Sequence, residues 1–397
     1  MRRIALKMLV ADTAKFTGLV FGIAFTSFLV TFAGCYFCGF MTWSFALVSE
    51  NPGADVWVMD PAVSAIEQTI NLPDSALGRV RSVAGVRYAA PLALGQVDAR
   101  FPNGRFQSFQ VIGVDDATLM GAPSLGDGTA PLILHAPDAV IVDAGGTVDK
   151  LETPLLKADQ WPHDGVHLHV PMRELVKGDE LLINDQRIKI AGLSCTLPRF
   201  PPQPLLYTTY SNAGRILPLE RKLLTFVLVT AMPGVPSREL ARRIEKRTGL
   251  RARSAGDFKA DTVRWMLVNS EDVGDIGAML TLAMIVGFGV TGVLLFMFTH
   301  ENLKQYAVLK VMGGTSRDLL AMIFAQAGVC ALLGAGLGVG LCGGAGEIAM
   351  ALGRPFRMMW FTPLMGTLGV VLVSLVAAAV SVRPVLRLDP GMVFAGR

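Results

Sequence analysis

Apolar positions along this chain fall into two kinds of pattern. Four runs, at 16–48, 276–299, 319–342 and 361–382, are apolar almost without interruption. Each is long enough for a helix that crosses a bilayer, which takes about 20 residues. The first exceeds the roughly 30 Å hydrocarbon core at about 1.5 Å per residue, so it is expected to project beyond the membrane at its far end. Between the first and second runs lies a stretch of a different kind. Residues 49–272 mix polar and apolar positions and hold most of the prolines and charges. This stretch is long enough to bury a core of its own.

Within it, A-D-V-W-V-M-D-P alternates as a strand does. L-P-D-S-A-L-G-R-V-R-S-V-A-G-V-R-Y-A-A-P predicts a capped helix closed by Gly85 and followed by a strand. Near the end, K-L-L-T-F-V-L-V-T predicts a buried strand, P-S-R-E-L-A-R-R-I-E-K-R-T-G-L a helix stopped by Gly249, and L-R-A-R-S a strand. Two strand–helix–strand units, one at each end, predict an α+β sandwich interrupted by an insertion at about 114–215. That insertion reads as β-rich. D-A-V-I-V-D is one strand, and G-D-E-L-L-I-N-D-Q-R-I-K-I-A-G is a hairpin turning at Asn184-Asp185. The expected domains are therefore 1–48 (a basic amphipathic segment at 1–15, then the first span), 49–272, and 273–397 with three spans. A signal peptide is the competing reading of the start, but the apolar run is too long and lacks a convincing cleavage site.

Composition agrees with a membrane protein: 52% hydrophobic residues, 17% charged, mean hydropathy +0.47. A net charge of +4 with dispersed basic residues leaves no footprint for nucleic acid. Four of the five cysteines (Cys35, Cys38, Cys330, Cys342) lie in apolar runs and Cys195 stands apart, so no internal disulfide framework is predicted for the polar middle. Cys35-x-x-Cys38 invites a redox reading, although two small packing residues in a spanning helix are favoured. His163, Asp164, His167 and His169 hold a workable ligand spacing but no fourth ligand, and a wet loop is the favoured reading there. No Gly-Lys dipeptide occurs, so the phosphate-binding loop is absent. No set of acid, base and nucleophile forms a recognisable active site, and no cofactor is expected in this chain. The glycine-rich run G-A-G-L-G-V-G-L-C-G-G gives the third span a face on which another helix can approach closely, either from this chain or from a second copy.

The short interruption at 300–320 is the most informative stretch. H-E-N-L-K-Q-Y-A-V-L-K-V-M-G-G-T-S-R-D-L-L carries Glu301, Lys304, Lys310, Arg317 and Asp318 in an otherwise apolar region. It must lie outside the bilayer, where charge is not costly. Leu303, Tyr306, Ala307, Lys310 and Val311 recur at helical spacing, Gly313-Gly314 ends the helix, and Thr315 or Ser316 caps the next. The expectation is a rigid helix clamped between two spans.

The run E-N-L-K-Q-Y-A-V-L-K-V-M-G-G resembles the coupling segment of FtsX/MacB-type ABC transporter permeases, closest to the DevC-like branch. The match rests on Glu301, Tyr306-Ala307, Leu309-Lys310 and Met312-Gly313, with Val311 where Ala is usual. V-R-S-V-A-G-V, the hairpin at 177–192 and the C-terminal R-L-D-P-G-M-V-F (Asp389, Pro390) fit the same family. The resemblance implies a four-helix membrane protein whose large external domain is a ferredoxin-like subdomain interrupted by a β-rich one. It implies a non-enzymatic permease, with ATP bound and hydrolysed by a separate cytoplasmic ABC ATPase dimer that docks on Glu301, Lys304, Tyr306, Ala307, Lys310, Gly313, Gly314 and Arg317. It further implies a second permease copy, a periplasmic membrane-fusion adaptor and an outer-membrane channel, in a tripartite efflux system working by mechanotransmission. The alternatives are an FtsX-like regulator of cell-wall hydrolases that transports nothing, or a permease releasing lipids or lipoproteins. The implied location is the bacterial inner membrane. Both termini are then cytoplasmic, consistent with Arg383, Arg387 and Arg397 after the last span.

Overall fold

The computed structural model describes residues 7–9, 12–125, 130–155, 171–217 and 224–386, without the side chains of Lys304 and of residues 383–386. The start of the basic N-terminal segment, the His163–His169 cluster, Asp389-Pro390, Arg387 and Arg397 lie outside the described residues. The chain divides into two compact units, Met1–Phe40 with Glu271–Arg397, and Met41–Ser270.

The first unit is helical. Helix α1 is Thr13–Ser44, and the one-turn helix that follows it, α2 (Ala46–Ser49), already belongs to the second unit. Helices α7 (Glu271–Glu301), α8 (Leu303–Val311), α9 (Ser316–Ala351) and α10 (Phe361–Leu386) complete the first. Among the described residues four helices are long and apolar enough to cross a membrane: Thr13–Ser44, Glu271–Glu301, Ser316–Ala351 and Phe361–Val382. Their buried seam joins Leu19 and Ile23 of α1 to Leu295 and Phe298 of α7, Ile323 and Ala327 of α9, and Val370 and Ala378 of α10. The glycine face of α9 has its neighbour inside this chain. A Cβ added at Gly334 would lie 2.6 Å from Ile23, and one at Gly338 would lie 2.4 Å from the Ala24 carbonyl. Backbones this close are possible only where one partner has no side chain.

In the second unit, β1 (Val56–Met59), α3 (Ser75–Arg81) and β2 (Val86–Arg100) form the first strand–helix–strand unit. Strand β10 (Leu224–Ala231), α5 (Ser237–Thr248) and β11 (Arg251–Ser254) form the second, and α6 (Ala255–Asn269) follows. Their strands lie in the order β11-β1-β10-β2, all antiparallel, which is the ferredoxin-like arrangement. Alternation splits β1 between two cores: Val56 and Val58 pack with Leu240 and Ile244 of α5, while Trp57 and Met59 pack with Phe226 and Phe258. Asp74 precedes α3 without a side-chain cap bond, contrary to the capped start expected there. Gly249 ends α5 at φ 70°.

Between these units come β3 (Phe106–Val114), β4 (Ala139–Asp143), β7 (Glu180–Ile183), β8 (Gln186–Ser194) and β9 (Leu205–Thr209), with helix α4 (Tyr210–Ile216). A separate ribbon pairs β5 (Glu152–Pro154) with β6 (Met172–Glu174). Strand β2 serves both parts. Its first half pairs with β10, its second half with β3, and Ala99–Arg100 pair with β7. That last pairing closes β2, β3, β9, β4, β8 and β7 on themselves, around Val97, Phe109, Val140, Ile188 and Leu206. Asn184 (φ 47°) and Asp185 (φ 59°) make the two-residue turn between β7 and β8, as the hairpin pattern predicts.

Candidate functional site

Helix α8 is built by its ends. Asn302 starts it by accepting from the Tyr306 N–H at 3.1 Å, while its own side-chain amide donates to the Phe298 carbonyl at 2.8 Å. At the other end Gly313 adopts φ 94°, and the Gly314 N–H donates to the Leu309 carbonyl at 3.0 Å, which satisfies one carbonyl of the last turn. Thr315 then caps α9 in a reciprocal box. Its hydroxyl accepts from the Asp318 N–H at 3.2 Å, and the Asp318 carboxylate accepts from the Thr315 N–H at 3.1 Å. Two helix ends closed this way leave the connection little freedom.

One face of α8 is held to the bundle. Tyr306 and Ala307 are buried, and the Tyr306 hydroxyl donates to Gln326 Oε1 of α9 at 2.7 Å. Burial pushes the Tyr306 phenol up to about 12, so it remains a neutral donor. The opposite face is open and partly apolar. Val308, Val311 and Met312, at i, i+3 and i+4, are exposed, Met312 to 70%.

The residues expected from the sequence are not all in one place. Gly313 and Arg317 are exposed, whereas Gly314 and Lys310 are half-buried. Glu301 does not stand alone, because its carboxylate is 2.9 Å from Lys15 Nζ, which also meets Asp12 at 2.9 Å. The Lys304 side chain lies outside what is described. Val311, placed on the packed face by its spacing, is on the open one. Sequence reasoning missed Val308, Met312 and Gln326. The available signals were the i, i+3, i+4 apolar triplet and a lone Gln inside an apolar run.

A second polar centre lies in the Met41–Ser270 unit. Glu50, just after α2, accepts from the Leu197 N–H and from Arg199 Nη2 at 3.4 Å. Arg199, 6% exposed, also donates to the Tyr207 hydroxyl at 2.9 Å and to Gln110 Oε1 at 3.4 Å. Burial raises the Glu50 carboxyl above its ordinary range in spite of Arg199, and pushes the Tyr207 phenol up to about 12. This network ties the segment after α1 to β3 and β9. It contains no nucleophile beside a base, and among the described residues no three His, Cys, Asp or Glu side chains group to hold a metal.

Residues 277–390, which include α8, match the family model described as FtsX-like permease C-terminal. The uncharacterized ABC transporter permease Rv0072 of Mycobacterium tuberculosis is 25% identical over 352 residues, covering 87% of this chain and 86% of that protein. The uncharacterized ABC transporter permease Mb2592 of Mycobacterium bovis is 24% identical over 223 residues, 55% of this chain and 58% of its own length. Among solved structures, the extracellular domain of the ABC-type transporter YknZ from Gram-positive bacteria is 12% identical with a TM-score of 0.32, covering 51% of this chain and 99% of that one. The periplasmic region of MacB from Actinobacillus actinomycetemcomitans is 12% identical with a TM-score of 0.34, covering 55% and 94%. The chain thus has a C-terminal part that matches an FtsX-like permease model, and over most of its length it is similar to proteins described as ABC transporter permeases.

Proposed function

We propose that this permease transmits the work of a separate cytoplasmic ABC ATPase pair to its external domain, with α8 as the docking element. The observation that carries the reading is the two-faced build of α8. Tyr306 and Ala307 fix it to the bundle, while Val308, Val311 and Met312 are presented outward. An exposed apolar helix face suits a groove on a partner protein. ATP is bound by that partner, and α1 carries the movement outward. Two permease copies match two ATPase subunits by twofold symmetry. An adaptor and an outer-membrane channel, as in the DevC-like branch, would complete an efflux system in an inner membrane with both termini cytoplasmic. Regulation of a cell-wall hydrolase is the other use of the same lever.

The test is purification of the full-length permease with its ATPase in detergent. Val308→Asp with Met312→Asp is expected to reduce ATPase co-purification at least tenfold while the permease elutes and melts as the parent does. Unchanged association in that variant would overturn the docking assignment. The other proteins retained by the wild type, adaptor or hydrolase, decide between the two uses.

A further inference from the structure

Cys35 and Cys342 come from α1 and α9, and both are fully buried. Cys35 Sγ donates to Thr362 Oγ1 at 3.4 Å. They share a packed cluster with Ala349 and Phe356, bordered by Phe28 and Phe32. The helix register explains the meeting. Gly334 packs against Ile23 and Ala24, and Gly338 against Ala24, Ser27 and Phe28. Both helices therefore advance together, and the next turn of α9 carries Cys342 to the level of Phe28 and Phe32, which border the cluster it shares with Cys35. The Arg357 N–H donates to the Cys35 carbonyl at 3.1 Å and holds this end in place. It is the end of α1 that continues into the external domain. The Cys35-x-x-Cys38 spacing pointed within one helix, but the fold gives Cys35 its thiol partner in another.

We propose that Cys35 and Cys342 form a redox-sensitive pair whose oxidation to a disulfide staples α1 to α9 at the external end of the spanning helices. In the step, the Cys35 thiolate attacks a small apolar disulfide, forming a mixed disulfide and expelling one thiol of the oxidant. The Cys342 thiolate then attacks the Cys35 sulfur and expels the second. Two S–H bonds are replaced by one S–S bond, and the oxidant leaves as two thiols that carry the two protons and two electrons. Reduced, the helices are held by close packing and by the Ser27 hydroxyl, which donates to the Ala335 carbonyl at 3.3 Å, and such a seam can slide. Oxidised, the helix that leads outward is fixed to the helix that begins beside α8. On the reading proposed above this is a brake on the lever, whereas the bond itself stands or falls without that reading.

The test uses the full-length protein in membrane vesicles, with 2,2′-dipyridyl disulfide as oxidant and alkylation of free thiols before any denaturation. In a variant with Cys38→Ala, Cys195→Ser and Cys330→Ala, oxidation is expected to leave the chain lighter by two hydrogen atoms, carrying no adduct. Dithiothreitol should restore both thiols. Adding Cys342→Ala should leave one alkylated or pyridyl-capped thiol and no loss of hydrogen. Proteolysis of the oxidised wild-type protein should yield a peptide joining Cys35 to Cys342, a result that does not depend on any variant folding. Two free or pyridyl-capped thiols in the pair-only chain, or a wild-type bond joining Cys35 to Cys38, would overturn the proposal.

Discussion

Tyr306 makes a polar joint in an apolar setting, with its ring buried and its hydroxyl on the buried Gln326. Tyr306→Phe removes the donor and is expected to lower stability by about 1–3 kcal/mol, since Gln326 loses a partner it cannot replace with water. Thermal unfolding of the purified variant beside the wild type checks this. Glu50 gives a pH prediction. Its folded carboxyl lies above the ordinary 4.5 because burial disfavours the charge more than Arg199 favours it. The folded state therefore binds this proton more tightly than the unfolded chain does. The resulting stability is fully present below the unfolded value and is lost as pH rises through the folded one. Glu50→Gln keeps a neutral side chain at all pH values. The Tm difference between Glu50→Gln and the wild type should thus shift in favour of Glu50→Gln as pH rises from 4.5. A difference that stays flat with pH would remove Glu50 from this role.

Among the elements, α9 is defined by which of its glycines are used. Gly338 meets α1 so closely that an added methyl would overlap the Ala24 carbonyl, while Gly336 and Gly340 have nothing within 4 Å. Gly338→Ala is expected to force the helices apart and cost about 1–3 kcal/mol. Gly336→Ala, two residues away, should be neutral or slightly stabilising, because alanine is the better helix former. A comparison of the two melting temperatures in one detergent is decisive, and equal behaviour would mean that the α1–α9 seam does not depend on close approach. The seam also limits where a second copy can pack. On α1, Gly22 is filled by Leu294 and Gly39 by the Pro355–Phe356 backbone, which leaves Gly18 and Gly34 open.

At the scale of the whole molecule, the permease proposed above offers one α8 per chain. ABC ATPases act as pairs, so the intact complex is expected to have two permeases and two ATPases, which native mass spectrometry measures directly. Single cysteines along α1, with Cys35 and Cys38 replaced, should crosslink between copies with helical periodicity. The open glycine faces should be favoured and position 39 avoided. A 1:1 complex with no crosslinks would rule out the paired arrangement. In the second unit, β2 belongs to both the ferredoxin-like sheet and the closed six-strand barrel. One strand shared in this way makes the two parts mechanically continuous through a backbone ladder.

Patterning alone was enough to read the four spans, the two strand–helix–strand units, the Asn184-Asp185 turn, the glycine-ended α8 and the cap of α9. Each of these depends on residues within a few positions of one another, where helical and strand periods, caps and positive-φ turns act. The FtsX-like character of the C-terminal part was legible for the same reason, from short runs of contiguous residues. Tertiary structure alone decided which face of α8 turns inward, leaving Val311 exposed and Lys310 half-buried. It also paired Glu301 with Lys15, seated α9 on α1 through Gly334 and Gly338, and joined Cys35 to Cys342 rather than to Cys38. The closure of β2 on β7 and the meeting of Glu50 with Arg199 are of the same kind. These contacts join residues far apart in the chain. A period fixes how side chains are spaced around a helix or strand, but the element that packs against it fixes which of them are buried.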